Sequence, residues 1–183
     1  MNKAAGVWSV GIMIAGLALS GCGGGGSSND SMTAIYGKLS SGDQTLPTGQ
    51  YVQSNSYVDV YSCTARQDGT AQVDLKSSDF DAFVIVGTED SQGHIQTITT
   101  DDNSGDGSNA RARFTINQDV RYFVAATNAD GAGRTGSYEL DFSNNLKDVH
   151  EEPQVTPAIL AAAAHTLELN HAREQKPAVK TTP

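Results

Sequence analysis

Two short acidic segments contain the residue types best suited to chemistry. The first spans residues 78–81 and the second spans residues 101–106, and both lie among turn-forming Ser, Asn and Gly residues. If the segments meet in the fold, like charges about 4 Å apart repel by ~1 kcal/mol in water and ~4 kcal/mol near a protein surface. Ca²⁺ prefers about six to eight oxygen ligands and would cancel this repulsion. The candidate calcium ligands are Asp79, Asp81, Asp101, Asp102, Asn103 and Asp106.

A structural role for the same residues is the alternative. Asp and Asn side chains accept hydrogen bonds from nearby backbone in turns, and Arg111 or Arg113 would offset part of the charge. The second segment is not an EF-hand, because a loop that starts at Asp102 has Arg113 instead of Glu at its twelfth position. Both interpretations stay open at this stage.

Nucleophilic catalysis has weak support in the sequence. Cys63 lies on the apolar side of an alternating segment, which predicts a buried and unreactive thiol. No Ser or Cys accompanies a His and a carboxylate in a recognisable motif. On a helix His165 and His171 would lie about 240° apart, so with Glu168 they cannot bind one metal ion. The sequence therefore predicts a protein that is not an enzyme. Its four histidines are His94, His150, His165 and His171.

The charge balance restricts the partners. The chain of 183 residues has 12 basic and 21 acidic residues, a formal net charge of −9. Without a basic stretch to contact phosphates, nucleic acid is not an expected partner. Cations and basic protein surfaces fit this charge better.

The first 22 residues indicate export and lipid attachment. Lys3 precedes a mostly apolar segment, residues 4–19, which is shorter than the roughly 20 residues of a membrane span. The sequence Leu-Ser-Gly-Cys that follows (residues 19–22) resembles the bacterial lipobox. The resemblance implies a signal peptide over residues 1–21, diacylglycerol on the Cys22 thiol, and acylation of the new amino terminus by a fatty acid such as palmitate. An ordinary secretory signal with a chance cysteine is the alternative.

The residues after Cys22 predict where the anchored protein is sorted. Gly23 stands where an Asp would favour retention at the inner membrane, so the resemblance implies a lipoprotein of the bacterial cell envelope at the outer membrane. Residues 22–33 are rich in Gly and Ser and predict a flexible tether that reaches on the order of 20 Å.

Residues 34–143 have the pattern of an all-β domain. Ala71, Val73 and Leu75 alternate with polar residues, and an Asp-Gly turn precedes them. Residues 82–86 are instead continuously apolar, so alternation does not assign their inward face. About eight strand segments in all predict an antiparallel β-sandwich, in which we expect Tyr122 and Phe142 to be the most costly truncations. The predicted strands cover residues 34–39, 57–65, 71–76, 82–86, 95–100, 111–116, 120–127 and 138–142.

Five motifs in order resemble the bacterial pre-peptidase C-terminal (PPC) domain over about residues 34–142. The resemblance implies a jelly-roll-like β-sandwich of the kind usually found behind secreted proteases, with relatives in a collagen-binding branch that bind calcium. Cys63 departs from the pattern, because the family favours Phe there. The motifs are Tyr61-x-Cys63, Ser-Asp-Phe-Asp (78–81), Asp-Asp-Asn-Ser-Gly (101–105), Tyr-Phe-Val (122–124) and Gly-Ser-Tyr-Glu-Leu (136–140).

Residues 144–183 predict a linker, a helix over about residues 157–174 and a disordered end. Thr156 and Pro157 have the types expected of an N-cap and a first helical residue. The helix has a narrow apolar stripe, and it either folds back on the domain or docks a partner.

These patterns together predict a lipid-anchored, non-catalytic binding module of the envelope for a protein or a polymer such as a polysaccharide or a collagen-like chain. An edge or an open face of the sandwich would make the contacts, with Tyr57 or Phe123 as candidate aromatic surface unless the helix covers Phe123. The alternative is an accessory or chaperone-like lipoprotein for a separately encoded secreted protease.

Overall fold

A computed structural model describes residues 31–50, 52–53, 55–90, 92 and 95–174. The predicted signal peptide, Cys22, most of the tether, His94 and the predicted disordered end lie outside the described residues. Within the described residues, no helix is long and apolar enough to cross a membrane.

The described chain forms ten strands and one helix. All eight predicted strands are present with small shifts at their ends, and β2 and β10 were not predicted. The elements are β1 (Met32–Leu39), β2 (Gln44–Thr45), β3 (Tyr57–Ala65), β4 (Gly69–Lys76), β5 (Ala82–Glu89), β6 (Ile95–Asp101), β7 (Ala110–Ile116), β8 (Arg121–Asn128), β9 (Gly136–Ser143), β10 (Leu146–Glu151) and α1 (Pro157–Glu174).

The strands form two antiparallel sheets in a sandwich-like arrangement. The four-stranded sheet has the order β1-β9-β4-β7. The six-stranded sheet has the order β10-β3-β8-β5-β6, and β2 pairs with β3 beside this path. The all-β prediction is confirmed at this level.

The main core lies between the sheets. The alternation in the sequence correctly predicts its members, since Tyr61, Cys63 and Val73 are buried there. Tyr122 and Phe142 are among the largest fully buried side chains. Full burial of each large side chain contributes about 1.5–3 kcal/mol.

A second core lies on the outer face of the six-stranded sheet. Val60, Phe83 and Phe123 of this face pack with Ile159 and Leu167 of α1. Strand β5 is therefore buried on both faces, which explains why its sequence is continuously apolar rather than alternating. Phe123 is covered by the helix and does not contribute aromatic surface.

The helix begins as the sequence predicts. Thr156 caps it, since its Oγ1 accepts from the Ile159 amide at 3.4 Å, and its carbonyl accepts the first helical hydrogen bonds from the Ile159 and Leu160 amides at 3.0 and 3.2 Å. Of the two predicted roles for α1, the structure shows the helix folded back on the domain. Glu168 Oε1 also accepts the Val52 amide at 2.8 Å and so holds the connection between β2 and β3.

The prediction that residues 146–154 form a linker is wrong for residues 146–151, because these form β10, which pairs with β3 along the edge of the six-stranded sheet. Two features concealed this strand. Its side chains are mostly polar, as suits an edge, and its register shifts between Lys147 and His150, where Asp148 has a φ of 55°. The domain also begins at Met32, two residues earlier than predicted, within the predicted tether.

Two leucines of α1 provide a matched test of how the helix packs on the six-stranded sheet. Leu167 is fully buried, whereas Leu169 is 45% exposed. We expect Leu167→Ala to lower the free energy of unfolding by about 2–5 kcal/mol and Leu169→Ala by less than about 1 kcal/mol. Urea unfolding followed by circular dichroism measures both. Equal effects of the two substitutions would contradict the packing of α1 on the sheet.

Candidate functional site

The outer face of the four-stranded sheet carries a grid of polar side chains. The register places Tyr36 beside Glu139 and Glu139 beside Lys76. Further along the strands, Gln72 lies beside Arg113. Tyr36 is 70% exposed, the most exposed large apolar side chain of the described residues. We call this surface the open face.

Ion pairs fix the middle of the open face. Lys76 Nζ lies 2.9 Å from Glu139 Oε1 and 2.5 Å from Asp141 Oδ2. Arg111 donates to both Asp74 carboxylate oxygens through Nε and Nη2 at 2.9–3.2 Å. Lys76 and Arg111 are partly exposed, whereas Asp141 and Asp74 are buried. Removing either cation would therefore leave a buried carboxylate without its partner, which costs more than losing an exposed pair.

The aspartates of the two acidic segments divide into two groups, of which the first caps the backbone. Asp79 Oδ2 accepts the Ser137 amide at 2.8 Å, and Gly136 makes room for it, since a Cβ there would lie 2.3 Å from the Asp79 Cβ. Asp101 Oδ2 accepts the amides of Ser104 and Arg111 at 2.9 and 2.7 Å. The guanidinium of Arg111 pairs with Asp74, not with these aspartates.

The second group lies where the two acidic segments meet, since β5 and β6 pair with Val84 beside Asp101 and the Ala82 amide donates to the Ser108 carbonyl oxygen at 3.0 Å. Burial raises the pKa of Asp81, and the nearby charges of Asp102 and Asp130 raise it further. Asn170 of α1 donates to Asp102 Oδ2 at 3.2 Å. Asp106 and Asn103 have exposed positions in the same loop. Among the described residues, no three His, Cys, Asp or Glu side chains are grouped as metal ligands. Calcium binding by this set stays a prediction.

A buried polar group that the sequence analysis missed joins the two sheets. Tyr138 of β9 donates its hydroxyl hydrogen to Asp59 Oδ2 of β3 at 2.6 Å, and the Tyr61 hydroxyl lies 2.7 Å from that of Tyr138. Gly37 makes room for the Tyr138 ring, since a Cβ there would lie 2.3 Å from it. The signal was present, because Asp59 occupies an inward position of an alternating strand.

The environment of Asp59 favours its neutral form. Burial raises the pKa of this carboxyl to about 7, although the hydrogen bond from Tyr138 opposes the change. The nearby carboxylates of Asp43 and Glu151 raise it further. Burial and Asp43 raise the pKa of Glu151 as well.

One cluster superficially resembles a catalytic triad. His150 Nε2 lies 3.1 Å from Ser62 Oγ and 3.3 Å from Glu152 Oε1. A triad needs the carboxylate on the other ring nitrogen, and here Nδ1 lies 2.8 Å from the Asp148 carbonyl oxygen. Ser62 is also buried. The cluster therefore lacks the geometry for nucleophilic attack.

Cys63 is buried as predicted, and burial raises the pKa of its thiol to about 12. His165 is exposed, and Glu168 binds the Val52 amide, so the structure does not bring these tail residues together at a metal site.

No protein-family model matches the sequence, and no curated protein matches it significantly. The resemblance to the PPC domain therefore rests on the five motifs. Four of these motifs are joined by contacts in the structure. Asp79 of the second binds the Ser137 amide of the fifth, the Tyr61 hydroxyl of the first lies 2.7 Å from that of Tyr138 of the fifth, and Cys63 of the first pairs with Tyr122 of the fourth.

The buried carboxyl predicts a pH dependence of stability. Its pKa is about 7 in the folded protein and about 3.9 in the unfolded chain, so the folded state holds the proton more tightly. The stabilisation that this group contributes is fully present below about pH 4 and is lost as the pH rises through 7. The loss in the free energy of unfolding is on the order of 4 kcal/mol in total. We expect Asp59→Asn to remove most of this loss in urea unfolding at pH 5 and pH 8.

Asp148→Asn is the control for this experiment, because it changes an exposed aspartate to a residue that tolerates the same positive φ. It should leave the pH dependence as it is in the unaltered protein. If Asp59→Asn left the pH dependence unchanged, as the control should, the assignment of Asp59 to a buried site that holds a proton would be wrong.

Backbone capping by Asp101 is a separate prediction. Asp101→Ala removes the acceptor of two backbone amides and should lower the unfolding free energy by about 1–2 kcal/mol. Asp106→Ala, in the same loop but with an exposed side chain, should change the unfolding free energy by less than about 0.5 kcal/mol.

Thermal unfolding of the unaltered protein with millimolar Ca²⁺ and with chelator tests whether a cation adds to this capping. Capping alone predicts the same Tm in both, whereas a Tm raised by calcium would show that a cation occupies the loops.

Proposed function

We propose that this protein is a lipid-anchored, non-catalytic binding module of the bacterial envelope, which holds a protein or polymer ligand on its open face. The difference between the outer faces of the two sheets carries this proposal. One face is buried under a helix, and the other presents polar side chains and an exposed aromatic ring.

The covered face is not available for a ligand. Ile159, Ala163 and Leu167 of α1 are buried against it. The Thr97 and Thr166 hydroxyls lie 3.0 Å apart and add a polar contact between β6 and the helix. A ligand could reach this face only by displacing α1. On the open face, the described part of the chain supplies no comparable covering element.

The position of the anchor fits the same proposal. β1 is an edge strand of the four-stranded sheet and begins at Met32, ten residues after Cys22. A flexible tether of this length spans on the order of 20 Å. It would hold the domain close to an outer-membrane surface while leaving it free to rotate.

The PPC resemblance supports a jelly-roll-like sandwich as the scaffold. Domains of this type would bind a ligand on a sheet face or an edge and would not catalyse a reaction. The buried thiol of Cys63 and the misplaced carboxylate beside His150 agree with a role in binding.

Crosslinking in intact cells tests the proposal. We expect the protein to fractionate with membranes and to capture a ligand, and Cys22→Ser to release it to the soluble fraction. Tyr36→Ala should reduce the captured ligand several-fold, because it removes the exposed ring of the open face.

Leu169→Ala is the matched control, since Leu169 is 45% exposed on the opposite side of the molecule. Equal capture by the unaltered protein and both variants would reject the open face as the binding surface. Capture of a secreted protease would favour the accessory role, and repeating the experiment with chelator shows whether capture needs a divalent cation.

A further inference from the structure

One end of the open face contains a depression of about 750 Å³. Two turns form its walls, the one between β3 and β4 and the one between β9 and β10, while β4 and β7 form its floor. We call it the arginine depression. Its principal lining residues are Arg66, Gln72, Arg113, Ser143, Asn144 and Asn145. Its volume lies in the usual range of ligand sites, roughly 300–1,000 Å³.

Two guanidinium groups in this depression have no carboxylate partner among the described residues. Arg113 Nε donates to Gln72 Oε1 at 2.7 Å, and Arg66 Nε donates to the Asn144 carbonyl oxygen at 3.0 Å. Each bond uses one nitrogen and orients the group. A third arginine of the lining, Arg111, is ion-paired with Asp74 and so adds no unpaired charge. The depression is therefore a site of uncompensated positive charge in a chain with a net charge of −9.

The wall of the depression is held in place by hydrogen bonds. The backbone amide of Gln72 donates to Ser143 Oγ at 2.9 Å, and Ser143 Oγ donates to Asn145 Oδ1 at 2.7 Å. Asn145 Nδ2 in turn donates to the Thr70 carbonyl oxygen at 2.6 Å. Side chains that are already ordered lose less entropy when a ligand binds.

The lining chemistry selects among ligand classes. Guanidinium groups bind carboxylate and sulfate oxygens with two parallel hydrogen bonds. Hydroxyl and amide side chains, such as those of Thr70 and Asn144, exchange hydrogen bonds with a ligand rich in hydroxyls. No aromatic side chain lines the depression among the described residues. Met32 and Ala71 are the apolar side chains of its lining among the described residues, so it offers little to the aromatic or apolar anchors on which peptide ligands usually depend.

We propose that the arginine depression binds an anionic polysaccharide, one that bears carboxylate or sulfate groups. The inference rests on the proposed binding function and names the ligand class and the part of the open face that contacts it. Because the charges are exposed, binding should weaken as the salt concentration rises.

Affinity electrophoresis and calorimetry test the proposal with three polymers, polygalacturonate, dextran sulfate and neutral dextran. The probe is the full-length protein purified in detergent. We expect binding to polygalacturonate, dextran sulfate or both, and none to dextran. The double variant Arg66→Ala with Arg113→Ala should bind at least tenfold more weakly.

A charge-matched double variant is the control. Arg134→Ala with Arg173→Ala also removes two positive charges, one from the β8–β9 turn and one from the last turn of α1, and should bind like the unaltered protein. Circular dichroism and Tm should be the same for both double variants, since Arg66 and Arg113 are exposed. Failure to bind either anionic polymer, equal binding to dextran, or equal loss in the control would overturn the proposal.

Crosslinking in intact cells separates failure of this inference from failure of the proposed function. If neither anionic polymer binds but the unaltered protein still captures a ligand that depends on Tyr36, the inference falls and the proposed function stands. If the unaltered protein captures nothing, the proposed function falls as well.

Discussion

The apolar outer face of the six-stranded sheet is the constraint on which the rest of the structure depends. Phe83, Ile85 and Phe123 project from it and would be exposed to water without a cover. Burying each contributes about 1.5–3 kcal/mol, so together they favour a folded helix that would be marginal alone. Helix α1 and the connection between β2 and β3 supply the cover. Because one face must be buried in this way, the outer face of the four-stranded sheet is left as the open one.

A polar constraint acts between the sheets. Asp59 and Tyr138 bond across the core, and the cost of burying a carboxyl is seen in its raised pKa. Such a bond adds little net stability, but only one alignment of β3 and β9 satisfies both groups. Gly37 belongs to the same arrangement, since a side chain there would collide with the Tyr138 ring. The pair thus fixes how the open face is positioned relative to the covered one.

The sequence predicted the elements that depend on local pattern and missed those that depend on distant partners. Alternation, apolar runs and turn residues together identified the eight strands, and alternation gave the inward positions of Tyr122 and Val73. It failed for β10, where a bulge interrupts the pattern, and it could not assign faces in β5, where both are buried. The helix was predicted because its cap and first residue are adjacent in sequence.

The candidate sites follow the same rule. The meeting of the two acidic segments was only a condition of the calcium hypothesis, and neither it nor the amide donors to Asp79 and Asp101 could be assigned before the register was known. The arginine depression gave no sequence signal, because Arg66 and Asn144 are 78 residues apart in the chain. The amide donors and the arginine depression both depend on strand order, which local residue patterns do not specify.

Hydroxyl-radical footprinting of the full-length protein tests most directly whether one sheet face is covered and the other open. Tyr36 should be oxidised rapidly, while Phe83 and Phe123 should be protected until the protein unfolds. Oxidation of Phe83 and Phe123 at the rate of Tyr36 under native conditions would show that the helix does not cover its sheet, and the assignment of a single binding face would be wrong.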